Sequence, residues 1–235
     1  MHNIKMQQAG SRMPGAALRV VLALALALAL ALLFSGCATR TPYDYTAFKQ
    51  SRPASMLVLP PLNDSADVKA TSGVMATATA PLAEAGYYVL PVSMVDETFR
   101  QNGLTTPHDI HEVAAPKLRE IFGADAAVYL RVKDYGTKYY VVGSESRVTV
   151  EGRIVDLRNG ALLWEGKATA SSKESEGSNQ GGLIGLLVQA VVTQIVGTLS
   201  DASYQYAGIA NQRLLGAPVA NGVLYGPRSP HYQKD

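Results

Sequence analysis

The sequence predicts a mixed α/β domain in which a mixed sheet of about five strands is covered by helices. Two observations support this prediction. In residues 56–91, two short apolar runs that end in proline flank a helical stretch, and this order indicates a βαβ unit. In residues 126–171, apolar and polar residues alternate, which indicates an antiparallel meander. A long helix is then predicted to close the domain.

The N-terminus has the parts of a secretory signal peptide. Three basic residues precede the apolar run VVLALALALALALLF, residues 20–34. These fifteen residues are fewer than the ~20 that a helix needs to cross the hydrocarbon of a bilayer. The small pair Ser-Gly follows, and then Cys37, the single cysteine of the chain. We predict that residues 1–36 are a signal peptide, the alternative being an uncleaved anchor helix.

Charge and cysteine content exclude several classes of function. Removing the three basic residues of the leader from the chain's 21 leaves 18 against 19 acidic residues, a net charge of −1. A near-neutral domain lacks the basic surface typical of nucleic-acid binding. If Cys37 is used outside the domain, no thiol remains for a disulfide, a nucleophile or a metal site.

The first half of the domain is predicted element by element. Residues 37–55 are polar and contain proline, which indicates the lipidated cysteine and a tether. MLVLP at residues 56–60 predicts a buried strand, and residues 74–86 predict a helix that Pro81 kinks or restarts. YYVLP at residues 87–91 repeats the form of the first strand. The segment between the first strand and the helix reads as a loop.

Two short helices are predicted next. Residues 93–103 form the first, and Thr106 is the N-cap of the second, with Pro107 at its first helical position. Pro116 interrupts that helix. The apolar residues after this break have helical spacing and predict a buried face: Leu118, Ile121 and Phe122.

The second half of the domain is predicted as three strands and a helix. The strands cover residues 126–136, 145–157 and 161–171, and the Asn-Gly pair between the last two indicates a hairpin. A long helix is predicted over residues 183–215, and its first half is apolar on nearly all sides. We therefore expect a single domain over residues 56–215. A C-terminal tail, residues 216–235, is rich in turn formers and predicted to be extended.

No arrangement of residues predicts catalysis. His108, His111 and Glu112 lack the H-E-x-x-H spacing of a metalloprotease, and they read as polar residues of a capped helix. The glycine-rich segment at residues 177–185 lacks the G-K-[ST] ending of a phosphate-binding loop, although a small-ligand site there stays a minor alternative. We predict no catalytic, metal or cofactor site, and no bound group except a lipid on Cys37.

The sequence instead predicts an interaction surface, because tyrosine, tryptophan and an apolar helix suit interfaces. For Trp164, packing in the core is the default interpretation and an interface is the alternative. The candidate interface residues are Trp164, Leu183, Leu186, Leu187, Tyr204, Tyr206, Tyr225 and Tyr232.

Ser35, Gly36 and Cys37 resemble the lipobox of bacterial lipoprotein precursors, with Phe34 where leucine is usual. The resemblance implies that the sulfur of Cys37 takes a diacylglyceryl group and that its amine is acylated. Several acyl chains anchor a protein stably. Ala38, in place of aspartate, implies retention in the outer membrane.

Five stretches together resemble a bacterial outer-membrane lipoprotein family that includes a neisserial surface vaccine candidate. They are MLVLPPLNDSADVKA, GYYVLPV, FGADAAVYLRV, GRIVDLRNGALLWEG and GVLYGPRSPHY. The strand pair near residues 156–166 is more distantly similar to the curli-secretion channel lipoprotein and to lipoprotein activators of penicillin-binding proteins. Both imply a fold like the N-terminal domain of TolB.

The lipobox, the lack of a catalytic arrangement in the sequence, and an apolar helix and aromatic tail that suit an interface together lead to the hypothesis of a non-enzymatic, lipid-anchored periplasmic protein. The leading hypothesis is an interaction or assembly module that binds itself or another envelope lipoprotein, with a curli-secretion-type system as one setting. The alternative is an activator of a peptidoglycan synthase. That alternative is weaker because the activators have a long proline-rich tether, whereas the tether predicted here is short.

Overall fold

The structure is a computed structural model that describes residues 43–140, 143–174 and 202–234. Within these ranges the chain forms one mixed sheet with helices on both faces. The strands are β1 (Ser55–Val58), β2 (Leu62–Asn63), β3 (Tyr88–Val89), β4 (Ala126–Tyr139), β5 (Ser144–Asp156) and β6 (Leu162–Ser171).

Helices flank the strands in the order that the sequence predicts, with one addition before the first strand. They are α1 (Thr46–Ser51), α2 (Ala70–Glu84), α3 (Val92–Gln101), α4 (Pro107–His111), α5 (Ala115–Phe122) and α6 (Ala202–Leu215). The fold class, a mixed α/β domain, is confirmed.

The strands follow the order β3-β1-β4-β5-β6, and β2 also pairs with β4. β1 is parallel to both β3 and β4, as a βαβ unit requires. β4, β5 and β6 form the predicted antiparallel meander. β2 lies where the sequence predicts a loop. It forms because β4 extends beyond β1, so that Leu62 and Asn63 can pair with Arg131 and Val132.

The sheet separates two hydrophobic cores. The larger core lies under α2 and α6 and contains alternate residues of β4 and β5, as the period of two predicts. The smaller core lies under α3, α4 and α5 on the opposite face. Those three short helices cover the β1 side of the sheet, and the outward side chains of the meander beyond them meet solvent.

Two prolines have different effects on the helices. α2 continues through Pro81 as one helix, so the predicted restart does not occur, and Pro81 itself is buried. Pro116 separates α4 from α5 as predicted, because it occupies the first turn of α5. Thr106 is the N-cap of α4, as predicted: its hydroxyl oxygen accepts the backbone N–H of Asp109 at 3.2 Å.

Replacing Thr106 with alanine is expected to lower the free energy of unfolding by about 0.5 to 1 kcal/mol, because the N–H of Asp109 loses its acceptor. Urea denaturation measures the change. Thr105→Ala is the matched control, since Thr105 is exposed and precedes the cap. Equal losses for the two variants would contradict a capping role.

The predicted tether is wrong from residue 43 onward. Tyr43 and Tyr45 contact the main core, and Phe48 of α1 is buried within it. The hydroxyl of Tyr45 donates to the carbonyl of Gly222 at 2.5 Å. The described part of the domain therefore begins at Tyr43 rather than residue 56, because three closely spaced aromatic side chains attach this polar segment to the core.

The C-terminal tail also packs against the domain. Val223 is 1% exposed. The backbone N–H groups of Gly226 and Arg228 donate to the carbonyls of Ala85 and Gly86 at 2.8 and 3.0 Å. The boundary predicted at residue 215 therefore does not separate the tail from the folded domain. Of the long helix predicted over residues 183–215, the described part is α6, and residues 183–201 lie outside the described residues.

Candidate interaction surfaces

Trp164 is a core residue, which agrees with the default interpretation of its sequence context and not with its candidate place at an interface. Its side chain is 2% exposed, and its indole N–H donates to the carbonyl of Asn221 in the tail at 3.0 Å. The ring lies against Gly166, where an added Cβ would approach within 2.5 Å of it. Trp164 therefore attaches the tail to β6.

The two candidate tyrosines of α6 differ in exposure. Tyr206 is half-buried and packs against the main core. Tyr204 is 46% exposed on the helix surface. Only Tyr204 of this pair offers a large area to a partner.

Tyr225 and Tyr232 line a cavity of about 230 Å³ between the tail and α1, here named the tail pocket. The ring of Tyr225 lies 5.1 Å from that of His231, measured between centroids. Lys49 and Arg52 contribute the basic side chains of the lining. The structure thus brings these two candidates together beside a basic helix.

Four predicted site residues lie outside the described residues, and their predictions stay untested. They are the lipid site Cys37 and the candidate interface residues Leu183, Leu186 and Leu187.

The two histidines that could suggest a metal site, His108 and His111, lie in different environments. His108 is exposed, whereas His111 is half-buried and its Nε2 lies 2.9 Å from the carbonyl oxygen of Pro60. Burial lowers the pKa of His111 despite the hydrogen bond to Pro60. Within the described ranges, no cluster of three or more His, Cys, Asp and Glu could hold a metal ion.

The two buried carboxylates in the described part of the chain are engaged in ion pairs. Glu145 accepts hydrogen bonds from Arg147 and Ser171 at the far end of the meander. Asp156 binds Arg158 and Ser51, and joins α1 to the end of β5. Both carboxylates therefore have a structural role at these positions.

An apolar groove, here named the edge groove, lies between β3, α3 and the end of α5. It measures about 400 Å³, and Tyr88, Leu90, Met94, Ile121 and Phe122 form its apolar lining. Met94 is 67% exposed, Tyr88 45% and Ile121 39%. Three large apolar side chains are thus exposed around one concavity.

The sequence did not identify the edge groove. The helical spacing predicts that Ile121 is buried with Leu118 and Phe122, whereas its side chain is exposed at the surface. Met94 lies beside the buried stripe of α3, which consists of Val95 and Phe99. An apolar residue outside the buried face of a short amphipathic helix was the available signal.

Both outer strands of the sheet have protected edges. On β6, the N–H of Glu165 donates to the hydroxyl of Tyr43 at 3.1 Å, and Arg213 donates to the carbonyl of Thr169 at 2.5 Å. On the other side, β3 is two residues long, and the proline at position 91 has no N–H to offer. Such edges oppose the addition of a strand from another chain.

The outward face of the meander is a ladder of alternating charges. Lys167 pairs with Glu151 at 2.9 Å, while Arg131 and Lys133 both contact Asp64. Exposed pairs of this kind contribute little energy and are typical of solvated surfaces. The edge groove therefore stays the strongest candidate for contact with a protein.

Comparison with known proteins identifies close relatives. The model of the GNA1162-like family of lipoproteins matches residues 43–228. The lipoprotein NMB1124/NMB1162 of Neisseria meningitidis serogroup B is 49% identical over 199 residues, which cover 84% of this chain and 92% of the relative. This result confirms the family resemblance inferred from the sequence.

The solved structure of a close relative agrees with this fold. The crystal structure of lipoprotein GNA1162 from Neisseria meningitidis is 51% identical, with a TM-score of 0.51, and covers 62% of this chain and 100% of its own. The C-terminal domain of LpoB from Salmonella enterica is 18% identical with a TM-score of 0.38, over 50% of this chain and 82% of its own. A likeness at that level carries no argument about function.

In the described ranges, no helix combines the length and apolar character that crossing a bilayer requires. The family match covers most of the chain, and a relative of nearly equal length is almost half identical. The chain belongs to the GNA1162-like lipoprotein family.

Proposed function

We propose that this protein is a lipid-anchored, non-enzymatic envelope module that binds a neighbouring lipoprotein through the edge groove. In this proposal Cys37 carries the lipid in the outer membrane, and the domain lies on the periplasmic side. The lipid is the only group bound. Membership in a lipoprotein family supports the anchor, and the edge groove supports the binding role.

The exposed apolar lining of the edge groove carries the proposal. Large apolar side chains grouped at a concave surface are typical of protein contact sites, where they are removed from water by the partner. Polar residues, among them Ser55 and Thr98, contribute to the same lining. An apolar centre with a polar margin is the usual arrangement of a protein interface.

The sheet edges indicate how the partner binds. Since the edges of β3 and β6 are protected, a partner strand has few free backbone groups with which to pair. A partner instead inserts side chains between α3 and α5. An aliphatic or aromatic side chain fits a groove of about 400 Å³.

The position of the anchor favours a partner on the same membrane. Five residues lie between Cys37 and Tyr43, and the six Cα–Cα steps across them span at most ~22 Å in an extended chain. The domain is thereby held close to the bilayer. Proteins tethered to the same surface meet at a raised effective concentration, so a groove of moderate area is sufficient for binding.

The resemblance to the curli-secretion channel lipoprotein makes a channel-type lipoprotein the first candidate for the partner. Self-association and binding to a peptidoglycan synthase are the two other outcomes that the following experiment distinguishes.

A photoreactive amino acid at position 94 is expected to capture one lipoprotein in living cells, because this side chain is 67% exposed at the groove. Ile121→Glu in the same chain is expected to lower the yield at least tenfold, since a carboxylate in an apolar contact costs more than about 1.4 kcal/mol. Mass spectrometry identifies the adduct.

Val68 provides the control both for the position of the photoreactive residue and for the substitution by glutamate. It is 89% exposed and lies in the loop before α2. The photoreactive residue at position 68 should not capture the same protein, and Val68→Glu should not change the yield from position 94. Equal capture from both positions, or a yield that Ile121→Glu leaves unchanged, contradicts the proposed use of the groove. An adduct with a penicillin-binding protein supports the activator function instead.

A further inference from the structure

A basic surface lies around the tail pocket, close to the start of the described chain. Lys49 and Arg52, in α1 and its C-terminal cap, line the pocket itself. Arg228 and Lys234 of the tail lie at its margin: the N–H of Arg228 donates to the carbonyl of Gly86, which precedes the lining residue Tyr87, and Lys234 follows the lining residue Gln233. None of these four side chains forms an ion pair with a carboxylate of the described residues. This distinguishes them from the basic residues of the meander, most of which are paired.

Part of this surface has a local structural role. The guanidinium of Arg52 donates to the carbonyl of Lys49 at 3.2 Å and so caps α1. Arg228 lies over the ring of Tyr88, 5.1 Å from its centroid, and Lys234 donates to the carbonyl of Pro230 at 2.8 Å. These contacts orient the side chains without pairing them with a carboxylate of the described residues.

The acidic residues near the surface are few. Asp44 precedes α1 and accepts the backbone N–H of Thr46 at 2.9 Å. Asp235 lies outside the described residues. The described residues of α1, its flanking turn and the end of the tail therefore contain four cations and one carboxylate. Two further carboxylates contact this region, but each pairs with another arginine: Asp156 with Arg158, and Asp125 with Arg119.

Aromatic side chains lie among these cations. Tyr225 and Tyr232 line the tail pocket together with Lys49 and Arg52. Tyrosine is enriched where a protein meets the headgroup region of a membrane, because its ring is apolar and its hydroxyl is polar. Cations and tyrosines on one surface are the combination that anionic lipids attract.

We propose that this surface docks on anionic phospholipid headgroups of the membrane that holds the protein. The inference rests on the anchoring part of the proposed function, and on the short segment of five residues between Cys37 and Tyr43, which limits their separation to ~22 Å. Charge complementarity then favours one orientation of the domain over free rotation about its tether.

Docking in this way complements the binding role of the edge groove. Tyr88 lines the groove and also contacts Arg228 of the basic surface. The edge groove consequently borders the surface that docks. Docking therefore keeps the groove near the membrane surface, where a neighbouring lipid-anchored protein also lies. A fixed orientation thus supports contact with a partner on the same membrane.

A site-specific spin label tests the proposal in the full lipoprotein. Because Cys37 is the single cysteine of the chain and carries the lipid, Gln50→Cys provides a unique exposed thiol on α1. Val68→Cys is the control. Val68 precedes the N-terminal end of α2, whereas the tail contacts the residues that follow its C-terminal end. The proteins are reconstituted in phosphatidylcholine vesicles with or without about 30% phosphatidylglycerol.

With phosphatidylglycerol, collisions of the label at position 50 with a water-soluble nickel chelate are expected to fall severalfold, and at position 68 to stay unchanged. About 1 M salt should abolish the difference, because it screens charges beyond ~3 Å. The double variant Lys49→Gln, Arg228→Gln should lower the ratio of docked to free protein by about 25-fold, or about fivefold per charge. Lys117→Gln, on the exposed surface of α5, should have no effect.

The experiment separates failure of the anchor from failure of the docking surface. The intact mass of the purified protein shows whether Cys37 is acylated, and an unacylated cysteine contradicts the anchor. In that case, flotation of the same sample with phosphatidylglycerol vesicles still decides whether the basic surface binds. A label at position 50 that responds equally to both lipid compositions overturns the proposal, as does an equal effect of Lys117→Gln and the double variant.

Discussion

Replacing Trp164 with alanine is expected to lower the free energy of unfolding by about 3 to 5 kcal/mol, the largest effect of any substitution considered for this protein. The side chain is 2% exposed in the main core, so its removal leaves a cavity beside β6. The indole N–H also gives up its hydrogen bond to Asn221, which is one of the contacts that attach the tail.

Chemical denaturation measures this loss, and two variants separate its causes. Trp164→Phe keeps most of the ring and loses the N–H donor, so we expect a loss of roughly 1 to 2 kcal/mol. Leu162→Ala, at a side chain that is 43% exposed on the same strand, should cost less than about 1 kcal/mol. If Leu162→Ala were as costly as Trp164→Ala, the core position of Trp164 would be refuted.

The effect of Trp164→Ala should extend to the tail. Tyr43 donates its backbone N–H to the side chain of Asn221, Tyr45 donates to the carbonyl of Gly222, and Trp164 donates to the carbonyl of Asn221. The first described residues therefore bind the tail, and Trp164 attaches the tail to β6. Faster hydrogen exchange in residues 216–234 of the Trp164 variant would report the loss of this connection.

The parts of the fold that the sequence predicts correctly have strong local signals. In β4, Val128, Leu130 and Val132 are all buried, as the alternation predicts. Asn159 and Gly160 lie in the predicted turn between β5 and β6, and Gly160 has a φ of 75°. Period and turn chemistry are determined within a few residues, so a single sequence contains them.

The parts that were missed depend on contacts between distant residues. α1 has six residues and a polar sequence, and it is stabilised by the burial of Phe48 rather than by helix propensity. β2 exists because β4 extends past β1. The edge groove requires Met94 and Ile121 on neighbouring helices to lie beside β3. α1 and β2 have no local pattern from which they could be inferred. For the edge groove, the apolar Met94 outside the buried face of α3 indicates an exposed apolar residue but not the groove that Ile121 and β3 complete.

Asp156→Asn is expected to lower the free energy of unfolding by about 2 kcal/mol at pH 7, the second largest effect. The carboxylate of Asp156 is almost fully buried, with its side chain 3% exposed. It accepts hydrogen bonds from the guanidinium of Arg158 at 2.9 Å and from the hydroxyl of Ser51 at 2.7 Å. An asparagine keeps the shape but leaves the partly buried guanidinium without a counter-charge.

The pH dependence of this loss of stability identifies the carboxylate of Asp156 as its source. Burial acts to raise the pKa of Asp156, but the hydrogen bonds from Arg158 and Ser51 outweigh it and lower the pKa from 3.8 to about 2. A carboxylate whose pKa is lowered on folding stabilises the protein above the pKa of the unfolded state, and this contribution is lost as the pH falls from about 4 to about 2. A difference of nearly two pKa units corresponds to about 2 kcal/mol.

Denaturation of the wild type and of Asp156→Asn should therefore be compared at several values of pH between 7 and 2. The free-energy difference between the two proteins is expected to stay constant down to about pH 5 and to decrease below about pH 4, as the wild-type carboxyl group becomes protonated. Asp96→Asn is the control, because Asp96 pairs with Arg100 on the exposed side of α3 and should cost less than about 1 kcal/mol. A difference for Asp156→Asn as large at pH 2 as at pH 7 would show that its cost arises from altered packing, and not from the ion pair that joins α1 to the meander.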